Sequence, residues 1–105
     1  MNANSAIDIR KETSHIPADD LSKRINTMVA KLTQELSLTT RWDAASQSVC
    51  FEAKTGLAKG TDGHLQIGPG WINIVVRLPM MLRIQTGIVK AVEEQINKTL
   101  DEALA

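Results

Sequence analysis

The sequence is short of most features that mark a catalytic, metal-binding or nucleic-acid-binding chain. Its single cysteine, Cys50, excludes an intrachain disulfide and points to a reducing compartment. Tyrosine is absent, phenylalanine occurs once and tryptophan twice, so a core must be mostly aliphatic and each aromatic residue is informative. Net charge is missing too, since 12 basic residues balance 12 acidic ones. The balance is also local: four bases face three acids between Thr39 and Leu78, and three face four in the last 27 residues. That argues against the basic footprint of a nucleic-acid partner. No stretch approaches the roughly 20 apolar residues of a membrane span, and the start, Met1-Asn2-Ala3-Asn4-Ser5, lacks the basic region and apolar run of a secretory signal. A cytoplasmic protein is expected.

What is present is periodicity. With 105 residues, one domain is expected over 6–105 behind a flexible leader, 1–5. Ile7-Asp8-Ile9-Arg10 alternates as a half-buried strand does. Ile16-Pro17-Ala18-Asp19-Asp20 then opens a helix, with Pro in the first turn, two acids at the positive end of the dipole and Ile16 placed to staple against Leu21. Leu21, Ile25, Met28, Val29, Leu32 and Leu36 make its buried stripe. From Leu38 the period returns to two. Leu38, Thr40 and Trp42 share one face, Asp43 to Gln47 turn the chain, and Val49, Phe51 and Ala53 continue on the next strand.

After a loop from Thr55 to Asp62, Gly63-His64-Leu65-Gln66-Ile67 reads as a fourth strand. The link Gly68-Pro69-Gly70 suits a type II turn, and Trp71 to Leu78 is a fifth strand. Beyond Pro79, a second helix is predicted, with Met81, Ile84, Ile88, Val92, Ile96 and Leu100 on one face and Gly87 as a point of kinking or close approach. The expected fold is an α+β two-layer sandwich of order β-α-β-β-β-β-α. Its mostly antiparallel five-stranded sheet carries both helices on one face. The meander puts the first strand beside the fifth, with a place beside the second as the alternative.

These elements, taken with His15 near the end of the first strand, Trp42, Phe51, Gly63-x-Leu65-x-Ile67, Leu78-Pro79-Met80-Met81-Leu82, Gly87-Ile88 and Leu100-Asp101, resemble the polyhydroxyalkanoic acid system family of small bacterial proteins. The likeness runs over nearly the whole chain after the leader. It departs from the family at the strand-to-helix corner, where Leu-Gly-Phe-Leu-Leu is more usual than Leu78-Pro79-Met80-Met81-Leu82 and Lys-Gly more usual than Thr86-Gly87. The resemblance implies a cytoplasmic, non-enzymatic accessory linked with polyester storage granules, and it names no catalytic residues.

The residues themselves suggest few chemical sites. His15, His64 and Cys50 lack the paired spacing of a zinc site. If Phe51 faces Ile67 and Ala53 faces Leu65, Cys50 stands about 13 Å along the strand from the position opposite His64, too far for a shared ion. Ser46 and Ser48 have no glycine elbow, and Asp19-Asp20, Glu93-Glu94 and Asp101-Glu102 read as solvated helix faces. No enzyme, cofactor or metal is expected. Two contact surfaces are. On the outer sheet face Trp71 and Val75 stand among His64 and Arg77, and at the corner Met80, Met81 and Leu82 cannot all join one stripe. The leading reading is an accessory that binds a granule or a granule-associated protein. A small carrier holding an apolar or acyl ligand between sheet and helices is the alternative, marked by a cavity lined by Ile74, Val76 and Ile88, and an acyl-thioester enzyme is the third. Homodimerisation through the outer face or an edge strand stays open.

Overall fold

The computed structural model describes residues 6–45, 47–56 and 59–105; the expected leader lies outside them. In chain order the elements are β1 (Ala6–Glu12), α1 (Ala18–Leu36), β2 (Leu38–Asp43), β3 (Ser48–Ala53), β4 (Asp62–Gly68), β5 (Trp71–Arg77), α2 (Met80–Arg83) and α3 (Ile88–Leu104). The sheet runs β1-β5-β4-β3-β2 with every neighbouring pair antiparallel. The first strand therefore lies beside the fifth.

Register follows the alternation. Ile7 pairs with Val76 and Ile9 with Ile74, and Ile74 pairs with Leu65 on its other side. These residues are buried together with Leu21, Ile25 and Met28 of α1 and Leu100 and Leu104 of α3. One sheet face and two helical stripes thus close on one aliphatic core, as the scarcity of aromatics requires. Ile16 and Leu21 are both buried at the start of α1, whose N-cap Pro17 makes no side-chain capping bond. At its other end Ser37 takes a left-handed conformation (φ 53°) and its N–H donates to Thr33 O. The side chain of Leu36 lies outside the described part of the chain. Polar ties hold the far end of α3, where Lys11 Nζ is 3.1 Å from Asp101 Oδ1 and Arg24 Nη1 donates to Ala105 O at 2.6 Å.

Three expectations are corrected. The helix predicted beyond Pro79 is two helices, because Gly87 sits at φ 82° and breaks the register. Met81 and Ile84, placed by periodicity on the buried stripe, are instead exposed. Trp42 and Ile67 point to the inner face as expected, yet they are 61% and 38% exposed. Trp42 stands on β2, the edge strand farthest from β1, and there the two helices leave the face open. Finally, β3 and β4 pair four residues away from the expected register: Phe51 faces Gly63, not Ile67. The hairpin is closed by Ala53 N–H donating to Thr61 O at 2.8 Å and Gly60 N–H to Ala53 O at 2.9 Å. Gly63 is what admits this register. A Cβ there would stand 2.8 Å from Cζ of Phe51 and would collide with the carbonyl oxygen of Val75.

Candidate functional site

Alternation along β4 and β5 turns His64, Trp71, Val75 and Arg77 to the sheet face away from the helices. His64 is flanked by Val75 on one side and Cys50 on the other. The corrected register therefore makes Cys50 and His64 direct cross-strand neighbours, where the expected register kept them far apart. Among the described residues, no group of three or more His, Cys, Asp or Glu side chains could hold a metal ion. His15 is exposed in the turn after β1.

The outer face is largely engaged with itself. Arg10 stacks over the Trp71 ring, its guanidinium carbon 4.4 Å from the centroid, an arrangement worth about 0.5–1 kcal/mol at an exposed site. The indole also lies against Gly68, where any Cβ would collide with it. Arg77 Nε donates to Asp62 Oδ1 at 2.9 Å. Asn73 Nδ2 donates to Asp8 Oδ1 at 2.6 Å and to Ile9 O at 3.0 Å. Trp71 is thus the cap of a turn, in contact with a cation and with the backbone of Gly68. It opens β5 and Met80 follows its end, so the two stand roughly 20 Å or more apart and share no patch.

The corner between β5 and α3 has a different character. Pro79 opens a single helical turn, and Leu82 and Arg83 N–H both donate to Pro79 O at 3.0 and 3.1 Å. One turn bracketed by Pro79 and Gly87 cannot lay all its apolar residues on the core. Leu82 turns inward, while Met80, Met81 and Ile84 are 66%, 76% and 76% exposed. Trp42 and Ile67 are the other large apolar residues exposed among the described ones. Ile84 was missed by periodicity, since it fits the stripe of an unbroken helix. The signal was Gly87, three residues on.

Beneath this corner the inner face is not fully covered. A cleft of about 260 Å³ lies between the sheet and helices α1 and α3. Leu32 of α1, Phe51, Leu65 and Val76 of the sheet, Leu82 of α2 and Val92 of α3 are among its walls. Ile74 also lines it, as the carrier reading asks, but Val92 and Ile96 take the place that reading gave to Ile88. The walls present carbon almost throughout. Thr99, for example, directs its hydroxyl to Gln95 O at 2.9 Å. Thr61 stands apart: it lines the cleft, is 8% exposed, and its buried Oγ1 has no hydrogen-bond partner among the described residues. It was missed because the fourth strand was begun at Gly63, although Thr61 continues the inward series of Gly63 and Leu65.

No helix among the described residues is long and apolar enough to cross a membrane. A family model described as "Putative polyhydroxyalkanoic acid system protein" matches residues 7–104. No curated protein and no solved structure matches the chain.

Proposed function

The chain belongs to the polyhydroxyalkanoic acid system family, and from that premise we propose that it is a cytoplasmic, non-enzymatic accessory which binds the surface of polyester granules through α2. One observation carries this reading. Met80, Met81 and Ile84 hold three large apolar side chains in solvent at one corner, beside an outer sheet face where Trp71 and Val75 stand among polar and charged residues. Trp71 and Arg77 are already occupied by Arg10 and Asp62, so they serve less well as a free contact surface. Met suits a surface without fixed shape, such as a polyester, because its unbranched thioether adapts to irregular contacts.

The size of the effect follows from burial. Full burial of one such side chain is worth about 1.5–3 kcal/mol, so three side chains mostly exposed at the start contribute roughly 3–6 kcal/mol. The entropy of association takes up much of that. Each molecule therefore holds weakly, and occupancy depends on protein concentration and on how many copies share a granule.

The test is co-sedimentation of the purified protein with native granules and, separately, with bare polyester particles. Met80→Asp and Met81→Asp should each cut the pelleted fraction several-fold while circular dichroism stays that of the wild type. Pelleting with native granules alone would transfer the contact to a granule-associated protein. A wild type that stays in solution with both would end the reading.

A further inference from the structure

We propose that the cleft beneath α2 is a binding site for one aliphatic chain carrying a single hydrogen-bonding oxygen. The inference goes beyond granule contact and holds whether or not α2 touches a granule. Protein interiors pack at crystal density, with few voids larger than a water molecule, whereas here about 260 Å³ between sheet and helices is left unfilled in a partly open cleft. An enclosed apolar cavity of roughly 150 Å³ accepts benzene, and by volume alone this cleft has room for about ten carbon atoms.

Shape selects the class. The walls include Thr40 on β2, Phe51 on β3, Leu65 on β4 and Val76 on β5. At about 4.8 Å between neighbouring strands, a floor crossing four of them is roughly 14 Å long. A linear chain fits that outline better than a compact ring system. Among the described residues no charged side chain lines the cleft, so a charged head group finds no partner among them.

Thr61 supplies the polar element. Its hydroxyl is buried and without a partner, a state that costs stability until a partner arrives. A step to a neighbouring staggered χ1 well carries Oγ1 into the place the methyl held, and the methyl into that of the Cβ hydrogen, and so presents a donor to whatever lies in the cleft. An ester or carbonyl oxygen on the chain would accept from it.

The experiment is a titration of the full chain with methyl decanoate, a neutral probe with one ester group, followed by carbon–proton spectra of the methyl groups. Saturable one-to-one shifts at Leu65, Val76 and Val92 are expected. Val92→Phe and, from the opposite wall, Leu32→Phe fill the cleft and should each weaken binding at least tenfold, so a folding failure of one leaves the other to decide. Thr61→Val should weaken binding about fivefold, as for one net hydrogen bond. Absence of saturable binding, or shifts confined to α2 and abolished by Met80→Ser, would overturn the cleft as the site. Wild-type affinity in Thr61→Val would overturn the oxygen contact.

Discussion

Gly63→Ala is the most stringent check on the hairpin register that places the outer face and the cleft. The added methyl meets two obstacles of different kinds. One is the Phe51 ring, with Cζ at 2.8 Å and Cε1 at 3.0 Å; the other is the carbonyl oxygen of Val75 in the neighbouring strand. Carbon atoms prefer about 3.5–4.0 Å, so the ring would have to retreat by at least ~0.5 Å. Phe51 is only half-buried and has room to do so. The Val75 oxygen belongs to the sheet and can move only if β4 and β5 separate locally. Overpacking costs about 1–3 kcal/mol, and one weakened ladder bond about 1 more. Against this, alanine recovers about 0.5–1 kcal/mol of chain entropy. A net loss near 2 kcal/mol lowers Tm by roughly 8–16 °C for a domain of about 100 residues.

Thermal and urea unfolding followed by circular dichroism would measure it. The double variant Phe51→Leu/Gly63→Ala separates the two obstacles. If backbone collision dominates, removing the ring rescues less than about 1 kcal/mol of the methyl's cost. A Tm drop under about 4 °C for Gly63→Ala would refute the register, and full rescue in the double variant would refute the ranking of obstacles.

Substitutions at two further positions probe the corner and the open edge. Gly87 has φ 82° with nothing within 4 Å of a built Cβ, so Gly87→Ala meets strain without collision. It should cost about 1–2 kcal/mol, seen as a lower urea midpoint, and Gly87→Asn should cost less; an unchanged midpoint for the alanine variant would mean the break between α2 and α3 is not held by this residue. Trp42→Ala should cost under about 1 kcal/mol and remove the red-shifted, readily quenched part of the tryptophan emission, leaving that of Trp71. A loss of 3 kcal/mol or more would place Trp42 in the core after all.

Strand order was readable because the inward series Ile7-Ile9, Leu65-Ile67 and Ile72-Ile74-Val76 sits on one face of an antiparallel meander, which left the first strand a place beside either the fifth or the second. The β3–β4 register was not, because a shift of four residues keeps the same faces inward and alternation cannot distinguish the two. What decides between them is the fit of Phe51 over Gly63, a contact between side chain and backbone that no periodicity encodes. The corner failed for a related reason. Met81, Ile84 and Ile88 have ideal helical spacing, but spacing describes a face only while the helix is continuous, and Gly87 ends that continuity. The outer-face residues were placed on the correct side, yet the stacking of Arg10 on Trp71 depends on a diagonal between strands. It could be anticipated only once β1 was known to lie beside β5.

The exposed corner and the cleft have one origin. Five strands spaced by about 4.8 Å make a sheet roughly 19 Å wide, and two helices with axes 8–10 Å apart cover it only if they lie side by side and fill the space between them. Here α3 begins after Gly87, and its buried residues, Leu100 and Leu104, lie in its last two turns. Its first half offers Val92 and Ile96 to the gap, half-buried, and α1 offers Val29 and Leu32, also half-buried. A valine on each helix beside the same opening is a choice of small volume where leucine or phenylalanine would have closed it. The same break that denies α3 an extra turn over the sheet leaves α2 as a single turn with Leu82 at the cleft and Met80, Met81 and Ile84 in solvent. Enlarging Val92 would therefore close the cleft without altering the corner, whereas Met80→Asp alters the corner without touching the cleft, so the two proposed activities can be removed one at a time.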